Sequence, residues 1–124
     1  MAGELLIAYD NVSNGALNVT GGTVTVGTGT TDNKIYFFKA GSGAGYTANM
    51  TQSGGTVTAN GIQFGGTGGT YNATSAANLT LSGGVLYVGA QGITTGGTTA
   101  AANLATNIRL QAGTVGASDT WTSP

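Results

Sequence analysis

The side chains able to do acid–base or nucleophilic chemistry are few in this chain and scattered along it. Among 124 residues there are four acidic and three basic ones. They are Glu4, Asp10, Asp32, Lys34, Lys39, Arg109 and Asp119. Paired carboxylates for glycoside hydrolysis must lie within about 10 Å of each other, and no acidic residue recurs at equivalent places in two repeats. Asp32 and Lys34 are the one acid–base pair close in sequence, which is typical of a solvated loop.

Other chemistries lack their usual residues. Histidine and cysteine are absent, which removes the commonest general base and any thiolate site. A serine nucleophile would need Ser42 or Ser53 to meet Lys39. The stretch Gly41–Gly45 is a loop, because Tyr46 stands where the third glycine of a dinucleotide fingerprint would fall. Calcium-binding β-rolls carry aspartate in their corners, and the corners here have none. We therefore predict that the chain is not an enzyme and binds no cofactor and no metal.

Charge and hydropathy also restrict the partners. Three basic residues neutralise too few phosphates for useful nucleic-acid affinity. The apolar run Leu5–Ala8 is far shorter than the roughly 18 residues of a membrane span. Glu4 stands where a signal peptide would have its basic region, so we expect the targeting segment of an exported protein to lie outside this chain. We predict no nucleic-acid partner and no membrane insertion.

One unit recurs four times along the chain. The units begin at residues 16, 49, 78 and 107, with offsets of 33, 29 and 29 residues. They read ALNVTGGTVTVG, NMTQSGGTVTAN, NLTLSGGVLYVG and NIRLQAGTVGAS. Offsets between roughly 20 and 50 residues are typical of solenoids and propellers. The repeat is the strongest structural signal in the sequence.

Apolar residues alternate within each unit, which predicts two half-buried strands. Paired glycines, or Ala112-Gly113 in the fourth unit, separate the two strands and predict a sharp corner. Gln52 is the exception in the first strand, because a buried amide needs a partner. The first-strand inward set is Leu17, Val19, Met50, Gln52, Leu79, Leu81, Ile108 and Leu110. The second-strand inward set is Val24, Val26, Val57, Ala59, Leu86, Val88, Val115 and Ala117.

The linking segments complete the predicted architecture. A third strand is expected in 34–39, 61–65 and 91–94, and 98–106 has the composition of at most one short helical turn. We predict a single repetitive β domain over 1–124, with an N-terminal edge strand in 1–15 and a tail in 119–124. The predicted fold is all-β, a β-solenoid of the right-handed single-stranded β-helix type with about four coils. A β-sandwich or a propeller blade is the alternative.

The repeats resemble a family of exported proteins. The segments Met50–Asn60, Gly61–Asn72 and Asn78–Gly89 look like the strand repeats of bacterial autotransporter passengers and of PEP-CTERM-type surface proteins with Gly/Thr-rich β-strands. The resemblance covers about residues 16 to 118. It implies a right-handed β-helix, an extracellular or cell-surface location, and a role as stalk, adhesin or matrix component. The weak fourth unit departs from the pattern, and the chain includes no translocator barrel and no sorting tail.

Two functions are compatible with these observations, and a glycan-active enzyme is a distant third. The first is a non-catalytic structural module, a scaffold or filament subunit of a bacterial surface structure, which associates end to end through uncapped terminal coils. The alternative is an adhesin-type module that binds a surface glycan through aromatic residues. An ice-binding face is disfavoured, because the threonine ranks of the first two units give way to Val85 and Tyr87. The candidate aromatic residues are Tyr36, Phe37, Phe38, Tyr46, Tyr71, Tyr87 and Trp121.

Overall fold

The computed structural model describes residues 3–10, 12–27, 33–96 and 101–118. These residues form eight strands and one 3₁₀ turn at Ala101–Asn103. The strands are β1 (Leu5–Ile7), β2 (Gly15–Val19), β3 (Thr23–Val26), β4 (Ile35–Phe37), β5 (Thr47–Gln52), β6 (Thr56–Phe64), β7 (Ala76–Thr95) and β8 (Ala105–Ala117). All the strand pairings are parallel. The predicted β-solenoid of about four coils is confirmed, and its right-handed sense stays a prediction.

Each full coil crosses three faces of the solenoid. The first face contains β2, β5 and the beginnings of β7 and β8. The second face contains β3 and then residues 56–59 of β6, 85–88 of β7 and 114–117 of β8. The third face contains β1, β4, residues 61–64 of β6 and residues 92–95 of β7. The third strand predicted for each of the first three units is therefore present, and the N-terminal edge strand is β1, paired with β4.

The core is a set of inward rows that run from coil to coil. On the second face, Val57, Leu86 and Val88 are fully buried, as the alternation predicts. On the third face, the rings of Phe37 and Phe64 stack with centroids 4.7 Å apart. Each buried apolar side chain of this size stabilises the fold by about 1.5–3 kcal/mol. Stability therefore comes from stacked apolar rows and backbone ladders rather than from charge pairs.

Paired glycines form the corner between the first and second faces. The second glycine of each pair has a positive φ, from 69° to 98°, in the conformation that residues with a Cβ rarely adopt. These residues are Gly22, Gly55, Gly84 and Gly113. The first glycine is packed against the coil below, since a Cβ on Gly54 would lie 2.4 Å from the carbonyl oxygen of Thr20. Where Ala112 replaces this glycine, the strand register is irregular beside Ser82.

Gln52 occupies the core at this same corner. Its Nε2 atom donates to the carbonyl oxygens of Gly55, at 3.2 Å, and of Val85, at 2.9 Å. The Oε1 atom is buried and has no hydrogen-bond partner among the described residues. The amide nitrogen therefore finds the buried partners that the sequence demanded, on the backbone of its own coil and of the next, whereas the amide oxygen does not.

The loops after the third face are also stacked. Ser42 and Tyr71 form a parallel bridge between successive loops. The Tyr71 hydroxyl is buried and donates to the carbonyl oxygens of Phe38 and Lys39, while it accepts the N–H of Gly66. Burial raises the pKa of Tyr71, and the Gly66 N–H lowers it by a smaller amount. The loops that vary in sequence thus continue the ladder of the solenoid.

Candidate functional site: a charged groove and an exposed terminal coil

A groove of about 520 Å³ lies on the third face near its N-terminal end. Its lining includes Glu4, Lys34, Tyr36, Lys39 and Gln63, with one wall formed by the loop 66–69. Two of the three basic residues of the chain meet here with one of its four acidic residues. The groove is the place where the scarce charges of this chain converge.

Parallel register brings these residues together. Leu5 pairs with Ile35, so Glu4 and Lys34 each directly precede the third-face strand of successive coils. Tyr36 pairs with Gln63 in the next coil. Strand alternation directs Tyr36 and Gln63 outward, yet both are more than nine-tenths buried. The floor of the groove is thus outward-facing sheet that the surrounding side chains cover.

Two polar contacts organise the groove. The Lys34 ammonium donates to Oε1 of Gln63 at 3.0 Å, and Nε2 of Gln63 donates to the carbonyl oxygen of Gly65 at 2.9 Å. On the other side, Lys39 forms an ion pair with Glu4 and lies 4.9 Å from the centroid of the Tyr36 ring. The hydrogen bond to Glu4 raises the pKa of Lys39. Lys39 is therefore neutralised within the groove, whereas Lys34 faces a neutral amide.

The other candidate side chains do not join this cluster. Asp10 accepts hydrogen bonds from the Val12 N–H and the Ser13 hydroxyl, so it stabilises a turn. Ser42 is buried and its hydroxyl accepts the Asn72 N–H, and Ser53 is exposed. Arg109 is exposed on β8. Asp32 and Asp119 lie outside the described residues. Within the described part of the chain, no three acidic side chains come close enough together to hold a metal ion.

The aromatic residues proposed as a sugar-stacking platform are dispersed. Phe37 and Phe38 are in the core, and Tyr36 and Tyr71 are buried. Tyr87 is 38% exposed on the second face, as expected for an outward position, and Trp121 lies outside the described residues. The described aromatic rings therefore form no shared platform, and Phe37 and Tyr87 lie where strand alternation places them, in the core and on a solvent face.

The outer surfaces of the first and second faces carry polar rows. On the first face, Nδ2 of Asn78 donates to Oδ1 of Asn49 at 2.7 Å, and Nδ2 of Asn107 donates to Oδ1 of Asn78 at 2.8 Å. Sequence reasoning missed this amide ladder, although asparagine begins three of the four units. On the second face, Thr56 and Thr58 pair with Val85 and Tyr87, so the threonine array ends after two coils. The amide ladder stabilises the stacking of coils on the first face, whereas the described part of the second face has threonine in its first two coils only.

The last described coil exposes its apolar row. Ile108, Leu110 and Val115 occupy inward positions and are 45%, 62% and 38% exposed. The equivalent residues of the first coil are better covered, since Val19 is buried and Leu17 and Val24 are partly buried. Within the described residues, β8 pairs only with β7. A hollow of about 290 Å³ lies beside Leu81, Leu110 and Val115. Among the described residues, no further coil covers the core at this end.

Comparison of the chain with protein-family models, with curated proteins and with solved structures finds no match. The described residues contain no helix of the length and apolarity needed to cross a membrane. Two surfaces of the described residues are candidates for function: the charged groove and the exposed terminal coil.

Proposed function

We propose that this chain is a non-catalytic structural module, a scaffold or filament subunit of an extracellular bacterial surface structure, whose copies stack head to tail. The observation that carries this proposal is the exposed inward row of β8. Large apolar side chains at core positions are stabilised when another coil covers them. The outer edges of β2 and β3 supply a matching surface, because among the described residues each pairs with one strand only.

The geometry of the strands favours a second copy as the occupant. β8 forms the first and second faces of its coil, while β1 lies on the third face, ahead of β2 and β3. If a second copy stacks on the first in the same register as successive coils within one chain, β8 lies against β2 and β3 of the second copy. The same stacking places β1 of that copy against residues 92–95. β8 and the neighbour's β1 then form one continuous coil between them. The contact is head to tail, and it can repeat from copy to copy without closing into a ring.

Side-chain chemistry at this contact is complementary. In the same register, Leu17 and Val24 of the next copy would cover Ile108 and Val115, and all four are apolar. Arg109 would face Asn18 on the outer surface, so no charge is buried. Edge strands usually avoid such pairing by carrying inward charges or proline, and β8 has neither.

Sedimentation velocity and light scattering over a concentration series test the stacking. We expect the wild-type chain to form larger species as concentration rises. Leu110→Asp should remain monomeric, because burying an unpaired carboxylate in the contact is unfavourable. The substitution should not unfold the single chain, because position 110 is exposed to water there. Thr114→Asp adds the same charge at an outward position of the same strand and should associate like wild type.

A substitution at the opposite end gives an independent test. A Cβ on Gly21 meets no atom within 4 Å in the single chain, whereas a Cβ on Gly54 lies 2.4 Å from Thr20 of the coil below. Gly21→Ala should therefore leave the monomer intact and block the approach of Gln111 from a second copy. A wild-type chain that stays monomeric at every concentration, or association that survives both substitutions, would overturn the stacking proposal.

Location and family belong to the same proposal. The autotransporter-type resemblance and the scarcity of charge support an exported scaffold. Fractionation of source cells, followed by protease treatment of intact cells, measures this directly. Protection of the full-length protein inside intact cells would refute a surface role.

The second candidate function is an adhesin-type module that binds a surface carbohydrate. The charged groove favours it, since donors and acceptors converge there in a chain with little charge elsewhere. The two functions are compatible, because the groove lies on the third face and the stacking contact engages strand edges at the two ends.

A further inference from the structure

The groove has a local charge opposite to that of the chain. The whole sequence has a net charge of −1, whereas the groove contains two lysines and one glutamate. Glu4 and Lys39 neutralise each other. The Lys34 ammonium carries three donors, and its one hydrogen bond within the described residues goes to the neutral Gln63 amide. The groove therefore offers a single cationic charge to a ligand.

Further hydrogen-bonding groups surround that charge. The Glu4 carboxylate accepts hydrogen bonds, Gln63 belongs to the floor, and Thr67 is exposed in the wall. The wall also contains Gly68, where an added Cβ would meet no atom within 4 Å. A flat ligand can thus approach the backbone of the loop. Mixed donors and acceptors in a groove of about 520 Å³ suit a polyhydroxylated ring.

Other classes of ligand fit this groove less well. A phosphate ester carries up to two negative charges, and the one lysine that no described acid neutralises would balance them only in part. A nucleobase needs an aromatic face on which to stack, and Tyr36 is buried with Lys39 over its ring. A carboxylate carries one charge and accepts from an ammonium in a charge-assisted hydrogen bond.

We propose that the groove binds an acidic sugar, a pyranose that carries a carboxylate, with Lys34 as the carboxylate partner and Glu4 as acceptor for a ring hydroxyl. This inference rests on the second candidate function and not on head-to-tail stacking. It gives the surface module a preference for acidic polysaccharides over neutral ones.

Titration with a defined uronic-acid oligosaccharide, followed by calorimetry or by NMR shifts, tests the inference. The Leu110→Asp chain is used beside wild type, so that failure of stacking and failure of binding are separate results. The matched neutral oligosaccharide, acetate and inorganic phosphate serve as competing probes. We expect saturable binding of the acidic oligosaccharide, at least tenfold weaker binding of the neutral one, and weakening at higher salt.

Two variants with the same loss of charge locate the site. Lys34→Gln should reduce affinity for the acidic oligosaccharide at least tenfold and leave binding of the neutral one unchanged. Arg109→Gln, at an exposed position of β8, should change neither. Equal thermal midpoints of the two variants exclude a folding defect. Absence of binding, equal binding of both oligosaccharides, tighter binding of phosphate, or an unaffected Lys34→Gln variant would each overturn the proposal.

Discussion

Alanine substitution at the paired glycines of the first two corners separates backbone strain from coil stacking. Gly21 has neither constraint, because its Cβ position is open and its φ is not positive. Gly22 has a φ of 73° in open space. Gly54 has the contact alone, with a Cβ position 2.4 Å from the Thr20 oxygen. Gly55 has both, a φ of 69° and a Cβ position 2.5 Å from the Gly22 oxygen.

The expected losses follow from these geometries. Gly21→Ala should be neutral or stabilise by about 0.4–1 kcal/mol, because alanine restricts the unfolded chain. Gly22→Ala should cost roughly 1–2 kcal/mol for the left-handed conformation. Gly54→Ala should cost roughly 1–3 kcal/mol, since the backbone must shift as it does for an overpacked core. Gly55→Ala combines both effects and should cost roughly 2–5 kcal/mol if they are independent.

Thermal unfolding followed by circular dichroism, in the Leu110→Asp background, measures these costs without a contribution from association. For a domain of this size about 1 kcal/mol shifts the midpoint by roughly 4 °C. Gly55→Ala should therefore unfold roughly 8–20 °C below its parent, and Gly21→Ala at or above it. Equal midpoints for Gly21→Ala and Gly54→Ala would refute the parallel stacking of the first two corners.

Two further predictions concern the core and alkaline pH. Val57→Asp and Leu86→Asp should destabilise the fold severely, by about 3 kcal/mol or more, whereas the outward substitution Thr25→Asp should not; equal urea midpoints would show that the inward register is wrong. Burial raises the pKa of Tyr71 from its ordinary value of 10.0, and an ion-paired hydrogen bond raises that of Lys39 from 10.5. The folded state then holds these protons more tightly than the unfolded state, so their stabilisation is complete below about pH 10 and is lost as pH rises through the raised values. Tyr71→Phe should lessen the fall in unfolding free energy as the pH rises above about 10, and an unchanged fall would contradict this assignment.

Recurring local patterns made much of the fold predictable. The period-two alternation around Val57 and Leu86 fixed which side chains point inward, because successive residues of a strand face opposite sides. The recurrence of the unit fixed the register, so that Leu79 lies above Met50. The paired glycines marked corners that only residues without a Cβ enter at low cost. Each of these signals is repeated in the sequence.

The candidate site was less predictable, because it joins positions outside the repeated unit. Glu4 and Lys39 are separated by 35 residues and Lys34 and Gln63 by 29. Their scattering in sequence gave no sign that three of the seven charged residues would meet in one groove. The left-handed conformation of the buried Phe38, at a φ of 56°, likewise had no sequence signal. In the next coil Gly65 holds the equivalent place, directly after the third-face strand.

The coil, its three strands, its corners and its inward rows could be predicted from the repeated unit, since these depend on side-chain type and on spacing along the chain. Which outward side chains share a groove, and which inward ones remain exposed, depends on how the coils and loops pack in three dimensions. Tyr36 is outward by alternation and is buried because Lys39 covers it, whereas Leu110 is inward and exposed because no described coil lies above it. The physical reason is that a strand pattern sets the direction of a side chain, while its burial depends on the atoms that the rest of the fold places there.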